Sequence, residues 1–416
     1  MDFEKQAQGD DQIFIYNCKV LANDTFQDLS VLTLGEKIAE INSQPRDLLS
    51  QAHSSKGNSI VIDGNGCYVI PGLIDIQVNG GDGVAFFNSS TPKAYFQAAR
   101  PHIKRGTTSM MPTITTCSAS QLNTSLESAI DAHVMEPFTF LGVHLEGPLL
   151  SAKRSGIHPT FLLKSSFDTE TEALIEKMLA SGGVVMVTLA PEITGLKYVA
   201  KLIEMGVKVS IGHSDCGFDL ACSTIKVGAN LATHLLNANA PITARNPGLT
   251  GAVVANPSVF ASLIFDGNHL HQLTAEMILK SMKKERVISI SDAMPILGTS
   301  HDEITYGDLI LKRTDRGLLV KGLTNSKVDS ERVGKLGGSQ ISLLEAVCNL
   351  RAEFDFSIVQ AVNSASKVPS TYLQITDSVG TIKQGSQANI LMVDENLKII
   401  RVIHNGKIIV DNSSYL

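Results

Sequence analysis

The fold is decided by residues 140–148, which read Phe140-Leu141-Gly142-Val143-His144-Leu145-Glu146-Gly147-Pro148. This apolar run ends in a carboxylate and is then broken by Gly-Pro, which is typical of a buried strand that ends at the rim of a sheet. Side chains alternate between faces along a strand, so His144 and Glu146 share one face. Burying both groups costs free energy unless a partner compensates them. A bound metal ion is one such partner, and a salt bridge is the more common one for a single Glu.

Seven further strand candidates lie along the chain, with helix-like segments between most of them. The eight strands are predicted at Leu73–Val78, Thr108–Thr113, Thr139–Glu146, Val184–Ala190, Lys208–His213, Leu231–His234, Ser262–Phe265 and Arg286–Asp292. Eight strand–helix units fit a closed parallel (β/α)8 barrel better than an open sheet. The alternative is a doubly wound sheet, but the Gly-rich phosphate fingerprint of that fold is missing after the first strand. We therefore predict an α/β protein with a TIM-type barrel.

Both ends of the chain carry short alternating strands separated by turn residues. They lie within residues 13–42 and 388–410, with Asn405-Gly406 as a hairpin turn, while residues 43–57 are polar and indicate a loop. We expect the two ends to pair into one small β-sandwich domain. The predicted domains are 1–70 and 376–416 for the two parts of this β domain and 71–375 for the barrel.

The composition and net charge limit the kinds of molecule that this protein is expected to bind. The chain has 416 residues and a formal charge of −6, which argues against nucleic acid or an anionic membrane as the main partner. Six scattered cysteines without a CxxC pair indicate reduced thiols. The N-terminus lacks the features of a signal peptide, and no apolar run reaches the roughly 18 residues of a membrane span. These features predict a cytoplasmic protein.

Four titratable side chains end four of the predicted strands: Glu146, His213, His234 and Asp292. A single histidine at a strand end is usually an ordinary hydrogen-bonded core residue. Functional groups of a parallel barrel meet at the C-terminal ends of its strands, however, and four such groups at the same end favour a site. Two neutral imidazoles and one carboxylate form a catalytic zinc set that leaves a position for water. Asp292 is then the natural general base and later the proton donor.

The alternation of side chains along a strand also predicts which way these groups point. We expect each to continue a row of inward-facing apolar residues: Val209 and Ile211 before His213, Ala232 before His234, and Ile288 and Ile290 before Asp292.

A second set of residues is consistent with an anionic substrate. The long loop after the sixth strand carries Arg245, and the seventh strand is followed by His269. An Arg and a His with nearby backbone amides form a reasonable phosphate or carboxylate pocket. Arg245 taken alone is more often a solvated surface residue.

Several motifs resemble the amidohydrolase superfamily and, within it, the N-acetylglucosamine-6-phosphate deacetylase family. They are Pro71-Gly72-Leu73-Ile74-Asp75, His144-Leu145-Glu146-Gly147-Pro148, Gly212-His213-Ser214, Ala232-Thr233-His234, Asp266-Gly267 with His269, and Ser291-Asp292-Ala293. The resemblance implies that Glu146, His213 and His234 bind a divalent metal and that Asp292 is the catalytic acid and base. It implies one ion per subunit, with Zn2+ expected, because Gln77-Val78-Asn79 stands where the wider superfamily has a His-x-His pair. Gln77 would then be a polar neighbour of the site.

The resemblance also implies how the substrate is held. His158 would contact the acetamido carbonyl, and the sugar phosphate would be held by Asn237, Ala238, Arg245 and His269. Arg245 would reach across the interface of a homodimer. The implied reaction converts N-acetylglucosamine 6-phosphate into glucosamine 6-phosphate and acetate.

The chain departs from the family pattern around the substrate. Asn246 stands in place of the usual Glu, Asn239 in place of the usual Met, and Asn268 where an apolar residue is common. The alternatives are therefore the same reaction on N-acetylgalactosamine 6-phosphate, another amidohydrolase reaction, and a non-catalytic scaffold that kept the barrel.

Overall fold

The structure is a computed structural model that describes residues 11–43, 59–324 and 330–413. Its strands are, in chain order, β1 Gln12–Ala22, β2 Thr25–Leu34, β3 Lys37–Asn42, β4 Ser59–Asp63, β5 Tyr68–Pro71, β6 Leu73–Val78, β7 Gly80–Gly81, β8 Val84–Ala85, β9 Thr107–Thr115, β10 Gly142–Glu146, β11 Val184–Leu189, β12 Lys208–Ile211, β13 Leu231–Ala232, β14 Phe260–Ile264, β15 Val287–Ile290, β16 Glu303–Tyr306, β17 Leu309–Thr314, β18 Gly317–Leu323, β19 Ile390–Val393, β20 Ile399–His404 and β21 Lys407–Asp411. All but the first residue of the loop predicted at 43–57 lie outside the described residues.

The helices fill most of the intervals between the strands from β6 onward. The α-helices are α1 Pro92–Ile103, α2 Ala119–Met135, α3 Thr169–Ala180, α4 Pro191–Thr194, α5 Leu196–Glu204, α6 Phe218–Val227, α7 Gly248–Ala255, α8 Gln272–Ser281, α9 Leu343–Glu353, α10 Ile358–Ser364 and α11 Lys367–Leu373. Short 3-10 helices lie at Phe86–Asn88, Ala152–Arg154, Thr160–Leu162, Lys284–Arg286 and Ser330–Arg332. Within the described part of the chain, every helix is too short or too polar to cross a bilayer.

The predicted barrel is confirmed. Strands β6 and β9 to β15 form one eight-stranded parallel sheet in that order. The first and last strands meet just past their ends, where the Asn79 amide donates to the Ala293 carbonyl (2.9 Å) and the Asp292 amide donates to the Gln77 carbonyl (3.0 Å). The strands are buried on both faces, which explains their near-continuous apolar composition.

The prediction that both ends of the chain pair into a small β domain is also confirmed. It is one continuous mixed sheet in the order β21-β20-β19-β5-β1-β2-β3, with β4 beside β1. The N- and C-terminal strands meet where β5 pairs antiparallel with β19, for example Ile70 with Leu391. Strand β1 is long enough to pair with both β4 and β5 along one edge. Buried apolar residues such as Val20, Val69 and Ile390 form the core of this domain.

The chain divides into two compact units: Met1–Ile74 with Ile103–Ser109 and Asp355–Leu416, and Asp75–His102 with Met110–Phe354. The domain bounds at 1–70, 71–375 and 376–416 remain a prediction. Within the second unit, strands β16 to β18 form a separate three-stranded antiparallel sheet.

Candidate metal centre and active site

Three of the four candidate residues adopt a left-handed backbone conformation directly after their strands. The φ angles are +49° for His213, +29° for His234 and +49° for Asp292. This conformation costs about 1–2 kcal/mol for a residue with a Cβ atom, so surrounding contacts must enforce it. Each of the strands β12, β13 and β15 ends two residues earlier than predicted.

The predicted inward rows before His213 and His234 are wrong, whereas the row before Asp292 agrees with the strand register, since Ile290 pairs with the cavity-lining Ile264. Thr188 on β11 and Thr233 after β13 are joined by their hydroxyl groups (2.7 Å) although β12 lies between their strands, so both side chains face the barrel interior. The Ser210 hydroxyl also contacts Thr233 (2.5 Å), which places Ser210 on the inner face. Val209 and Ile211 therefore face outward.

The left-handed turns correct the direction of the side chains. A Cβ atom placed on Gly212 would meet Thr188 and Thr233, so Gly212 also faces inward. Because Gly212 faces inward, strict alternation predicts that the next residue, His213, faces outward. By the same rule His234, which follows the inward-facing Thr233, would also face outward. The reversed backbone at both histidines instead brings them back to the mouth of the barrel.

The structure brings the three predicted metal ligands together at one buried point. The Nε2 atoms of His213 and His234 are 3.1 Å apart. Glu146 Oε1 lies 3.3 Å from the first and 2.9 Å from the second. Ligand atoms of a tetrahedral ion with bonds of about 2.1 Å are about 3.4 Å apart, so these separations fit a shared cation.

The tautomers of the two histidines support the same conclusion. His213 Nδ1 lies 2.8 Å from the Arg154 carbonyl, and His234 Nδ1 lies 3.2 Å from the Asn237 carbonyl. A carbonyl only accepts hydrogen bonds, so each Nδ1 carries the proton and each Nε2 of a neutral ring presents a lone pair. When both rings are neutral, two lone pairs and the Glu146 carboxylate face one another, and this arrangement suits a cation between them.

The electrostatics of the group follow from its burial and charge. Burial opposes ionisation of Glu146, but its hydrogen bonds with His213 and His234 outweigh burial and hold the pKa of the carboxyl well below its usual range. Burial also opposes the charged form of His234, yet the hydrogen bond with Glu146 raises the pKa of this imidazole. The centre thus attracts positive charge.

His158 joins this cluster as a neutral imidazole. Burial, followed by the nearby His213, lowers the pKa of His158 to about 3. Glu146, His158 and His213 form a buried group that could hold a metal ion. However, the Thr116 amide donates to His158 Nδ1 (3.4 Å), and the Thr116 hydroxyl lies 2.8 Å from the same atom. If Nδ1 accepts, Nε2 carries the proton, which suits His158 to donate a hydrogen bond.

Asp292 lies beside the cluster and is held by two amide side chains. Its Oδ1 accepts hydrogen bonds from Asn79 Nδ2 (2.7 Å) and Gln77 Nε2 (3.3 Å), and Gln77 also donates to Glu146 (2.9 Å). Burial, and then the negative charge of Glu146, raises the pKa of Asp292 to about 6. A carboxyl with this pKa can accept and return a proton near neutral pH.

The sequence prediction included Gln77 but not Asn79 among the site residues. Alternation along β6 offered the signal, because residues 77 and 79 share a face. Asn79 Oδ1 is buried and finds no hydrogen-bond partner among the described residues. An unpaired buried acceptor is unusual and indicates a missing ligand or water.

Glu146, His213 and His234 line a cavity of about 990 Å³. Its lining includes four predicted substrate-binding residues: His158, Asn237, Ala238 and His269. His269 Nδ1 is held by Asp266 Oδ2 (2.8 Å). The Asn237 Nδ2 donor is buried without a partner in the described structure, so it too is available to a ligand.

Arg245 is the one residue, of those predicted to hold the phosphate, that the single chain does not bring to the cavity. It lies in an exposed loop and is absent from the described lining. The basic residues that do line the cavity are Lys153, Arg154, Arg332 and Lys335.

Comparison with known proteins adds a family and several relatives. Residues 68–409 match the Amidohydrolase family. N-acetylgalactosamine-6-phosphate deacetylase of Shewanella sp. (strain ANA-3) is 29% identical over 82% of this chain and 83% of its own length. N-acetylglucosamine-6-phosphate deacetylase of Bos taurus is 30% identical over 83% of this chain and 84% of its own.

A solved structure matches the fold. It is a mutant N-acetyl-D-glucosamine-6-phosphate deacetylase from Mycobacterium smegmatis in complex with N-acetyl-D-glucosamine-6-phosphate. The match has a TM-score of 0.81 at 23% identity and covers 96% of this chain and 99% of that one.

Proposed function

The chain belongs to the amidohydrolase family, and from this premise we propose that it hydrolyses the acetamide of N-acetylglucosamine 6-phosphate to glucosamine 6-phosphate and acetate. The resemblance inferred from the sequence is confirmed at the level of the family. The observation that carries the proposal is the convergence of Glu146, His213 and His234 on one buried point beside Asp292.

We assign Glu146, His213 and His234 as the ligands of one divalent ion, with Zn2+ as the expected metal. When bound, such an ion activates water and polarises a carbonyl group. The two imidazole Nδ1–H groups are fixed by backbone carbonyls, which keeps both Nε2 lone pairs directed at the ion. Gln77 also donates a hydrogen bond to Glu146 Oε1, the oxygen that faces the two histidines, and so helps to orient the carboxylate.

The proton transfers are assigned to Asp292. Asn79 and Gln77 both donate to its Oδ1, which leaves Oδ2 to take the proton of the attacking water. With a pKa of about 6, the carboxyl is ionised at neutral pH and then protonates the leaving amine once it has gained a proton.

His158 is assigned to the acetamido carbonyl. Its ring is neutral because burial and His213 depress its pKa, and its Nδ1 faces Thr116. A proton on Nε2 can then donate to the carbonyl oxygen as negative charge develops on it.

The phosphate of the substrate is assigned to Asn237, Ala238 and His269, which line the same cavity. The unpaired Asn237 Nδ2 donor supports this assignment. We keep the homodimer, the contribution of Arg245 across its interface and the cytoplasmic location as predictions.

A second candidate is the same reaction on N-acetylgalactosamine 6-phosphate. The Shewanella relative supports it, because its identity to this chain is similar to that of the Bos taurus relative. The two sugars differ only at one hydroxyl, so the ion and Asp292 would act alike on both.

The test is acetate release by the zinc-loaded protein with the two sugar phosphates and with unphosphorylated N-acetylglucosamine. We expect the highest kcat/KM for N-acetylglucosamine 6-phosphate and a large loss without the phosphate. A higher value for the galactosamine derivative would favour the second candidate. Absence of acetate release from all three would refute the deacetylase assignment and favour a non-catalytic scaffold.

A further inference from the structure

Each predicted histidine ligand depends on a loop carbonyl for its orientation. The Arg154 carbonyl holds His213, and the Asn237 carbonyl holds His234. A ring that turns about its Nδ1 hydrogen bond moves its Nε2 lone pair away from the ion. Side chains that form hydrogen bonds with such carbonyls therefore influence metal affinity even though they do not contact the metal.

One buried side chain contacts both histidine turns. Asn239 Nδ2 donates to the Asn237 carbonyl (2.9 Å), the same oxygen that accepts from His234 Nδ1. Asn239 Oδ1 accepts from the amide of Ser214 (3.4 Å), the residue that directly follows His213. The side chain is only 5% exposed, so water cannot replace it freely.

Asn239 is also one of the positions at which this chain departs from the family pattern. A Met at this position, as is usual in the family that the chain resembles, has no amide to donate to the Asn237 carbonyl.

We propose that Asn239 is a positioning residue that fixes the relative orientation of the two imidazole ligands. The proposal rests on the assignment of His213 and His234 as ligands made above. The backbone does not need Asn239 to hold the loop, since the amide of Ala240 donates to the Ser214 carbonyl (2.9 Å). Loss of the Asn239 amide thus frees the Asn237 carbonyl without detaching the loop.

The test replaces Asn239 with a residue of similar size that cannot form hydrogen bonds, Asn239→Leu. Zinc affinity is measured by competition with a chromogenic chelator, and the cobalt-substituted protein is examined by visible absorption. We expect affinity to fall by about 10–100-fold, because changes in the outer partners of metal ligands typically cost this much. We also expect a changed cobalt spectrum, which a merely structural role would leave unaltered.

Asn268→Leu is the matched control. Asn268 is exposed, and its side-chain amide donates to the Asp266 carbonyl within its own turn. Its zinc affinity and cobalt spectrum are expected to equal those of the wild type. If Asn239→Leu fails to fold, Asn239→Ala supplies the same test, because alanine has no group that can donate to the Asn237 carbonyl.

The outcomes separate this inference from the proposed function. Zinc affinity within about threefold of wild type, together with an unchanged cobalt spectrum in the folded variant, would overturn the role of Asn239 while the metal site stands. A wild-type protein that binds no divalent ion would overturn both.

Discussion

Replacing Asp292 with Asn separates proton transfer from metal binding. The amide has the shape of the carboxylate, and its oxygen can still accept from Asn79 and Gln77 as Asp292 Oδ1 does. It cannot take a proton at neutral pH. Three other side chains supply the proposed metal ligands, so the variant should keep its ion.

The expected loss follows from the role of a general base. Such a group contributes about 10²–10⁴-fold to turnover, which corresponds to about 3–5 kcal/mol of barrier. We expect kcat to fall by this factor with little change in KM, because binding of the sugar phosphate is assigned to other residues.

The same substitution should stabilise the metal-free protein. The pKa of Asp292 is raised from 3.8 to about 6, so its ionised form is disfavoured in the folded state and the stability present at low pH is lost as pH rises. At about 1.4 kcal/mol per pKa unit, the ionised carboxyl costs about 3 kcal/mol at neutral pH. The neutral amide of the Asp292→Asn variant carries no such cost, so we expect a gain in unfolding free energy of up to this size.

Three measurements on Asp292→Asn decide the matter: acetate release, zinc content and urea unfolding of the metal-free protein. Asp219→Asn is the control, because Asp219 is exposed at the start of α6 and has no assigned part in the site. Turnover within about tenfold of wild type would falsify the assignment of Asp292 as the base. Loss of zinc instead of turnover would show that Asp292 serves the metal.

Three further predictions concern the ion, the pH profile and the core. Glu146→Gln should purify with little zinc and lose turnover, because a neutral amide replaces the only negative charge among the three ligands; full zinc occupancy by elemental analysis would contradict this. The acid limb of the pH profile of kcat/KM should have its midpoint at or below about pH 6, because Asp292 loses its base form below its pKa. A bound cation would offset the repulsion from Glu146 and so lower this pKa. A limb centred near pH 8 would exclude Asp292 as the base. His144 lies between Thr113 and Thr188 in the barrel, and burial lowers its pKa from 6.5 to about 4. The unfolded chain therefore gains a proton on this histidine at a higher pH than the folded chain does, so the free energy of unfolding decreases as the pH falls from about 6.5 to about 4. Between about pH 7 and 5 the wild type should lose about 2 kcal/mol more unfolding free energy than His144→Gln, and equal losses in urea titrations would refute this.

The positions of the barrel strands were predictable from local sequence because each apolar run stops at a polar residue, although β12, β13 and β15 end two residues before that residue. The buried run before Glu146 and its Gly-Pro break identified one strand, and the spacing of the other runs identified the barrel. Alternation also placed His144 and Glu146 on the same inner face, as the structure has them.

The backbone conformation of His213 and Asp292, which sets the direction of their side chains, was not predictable from local sequence, because contacts with distant segments impose it. His213 is left-handed where its carbonyl accepts from Ser151 (3.0 Å), and Asp292 is left-handed where its amide donates to the Gln77 carbonyl (3.0 Å). Alternation holds only inside a strand, so counting back from His213 and His234, which lie past the strand ends, gave the wrong face for Val209, Ile211 and Ala232. The exposed position of Arg245 likewise depends on a long loop whose course local sequence does not encode.

The most direct test of the account is the position of the metal in a crystal of the zinc-loaded protein, measured by anomalous scattering at the zinc edge. We predict one peak per chain, about 2.0–2.2 Å from Nε2 of His213, Nε2 of His234 and a carboxylate oxygen of Glu146. A peak held by other side chains, or no peak at this point in protein that releases acetate, would contradict it.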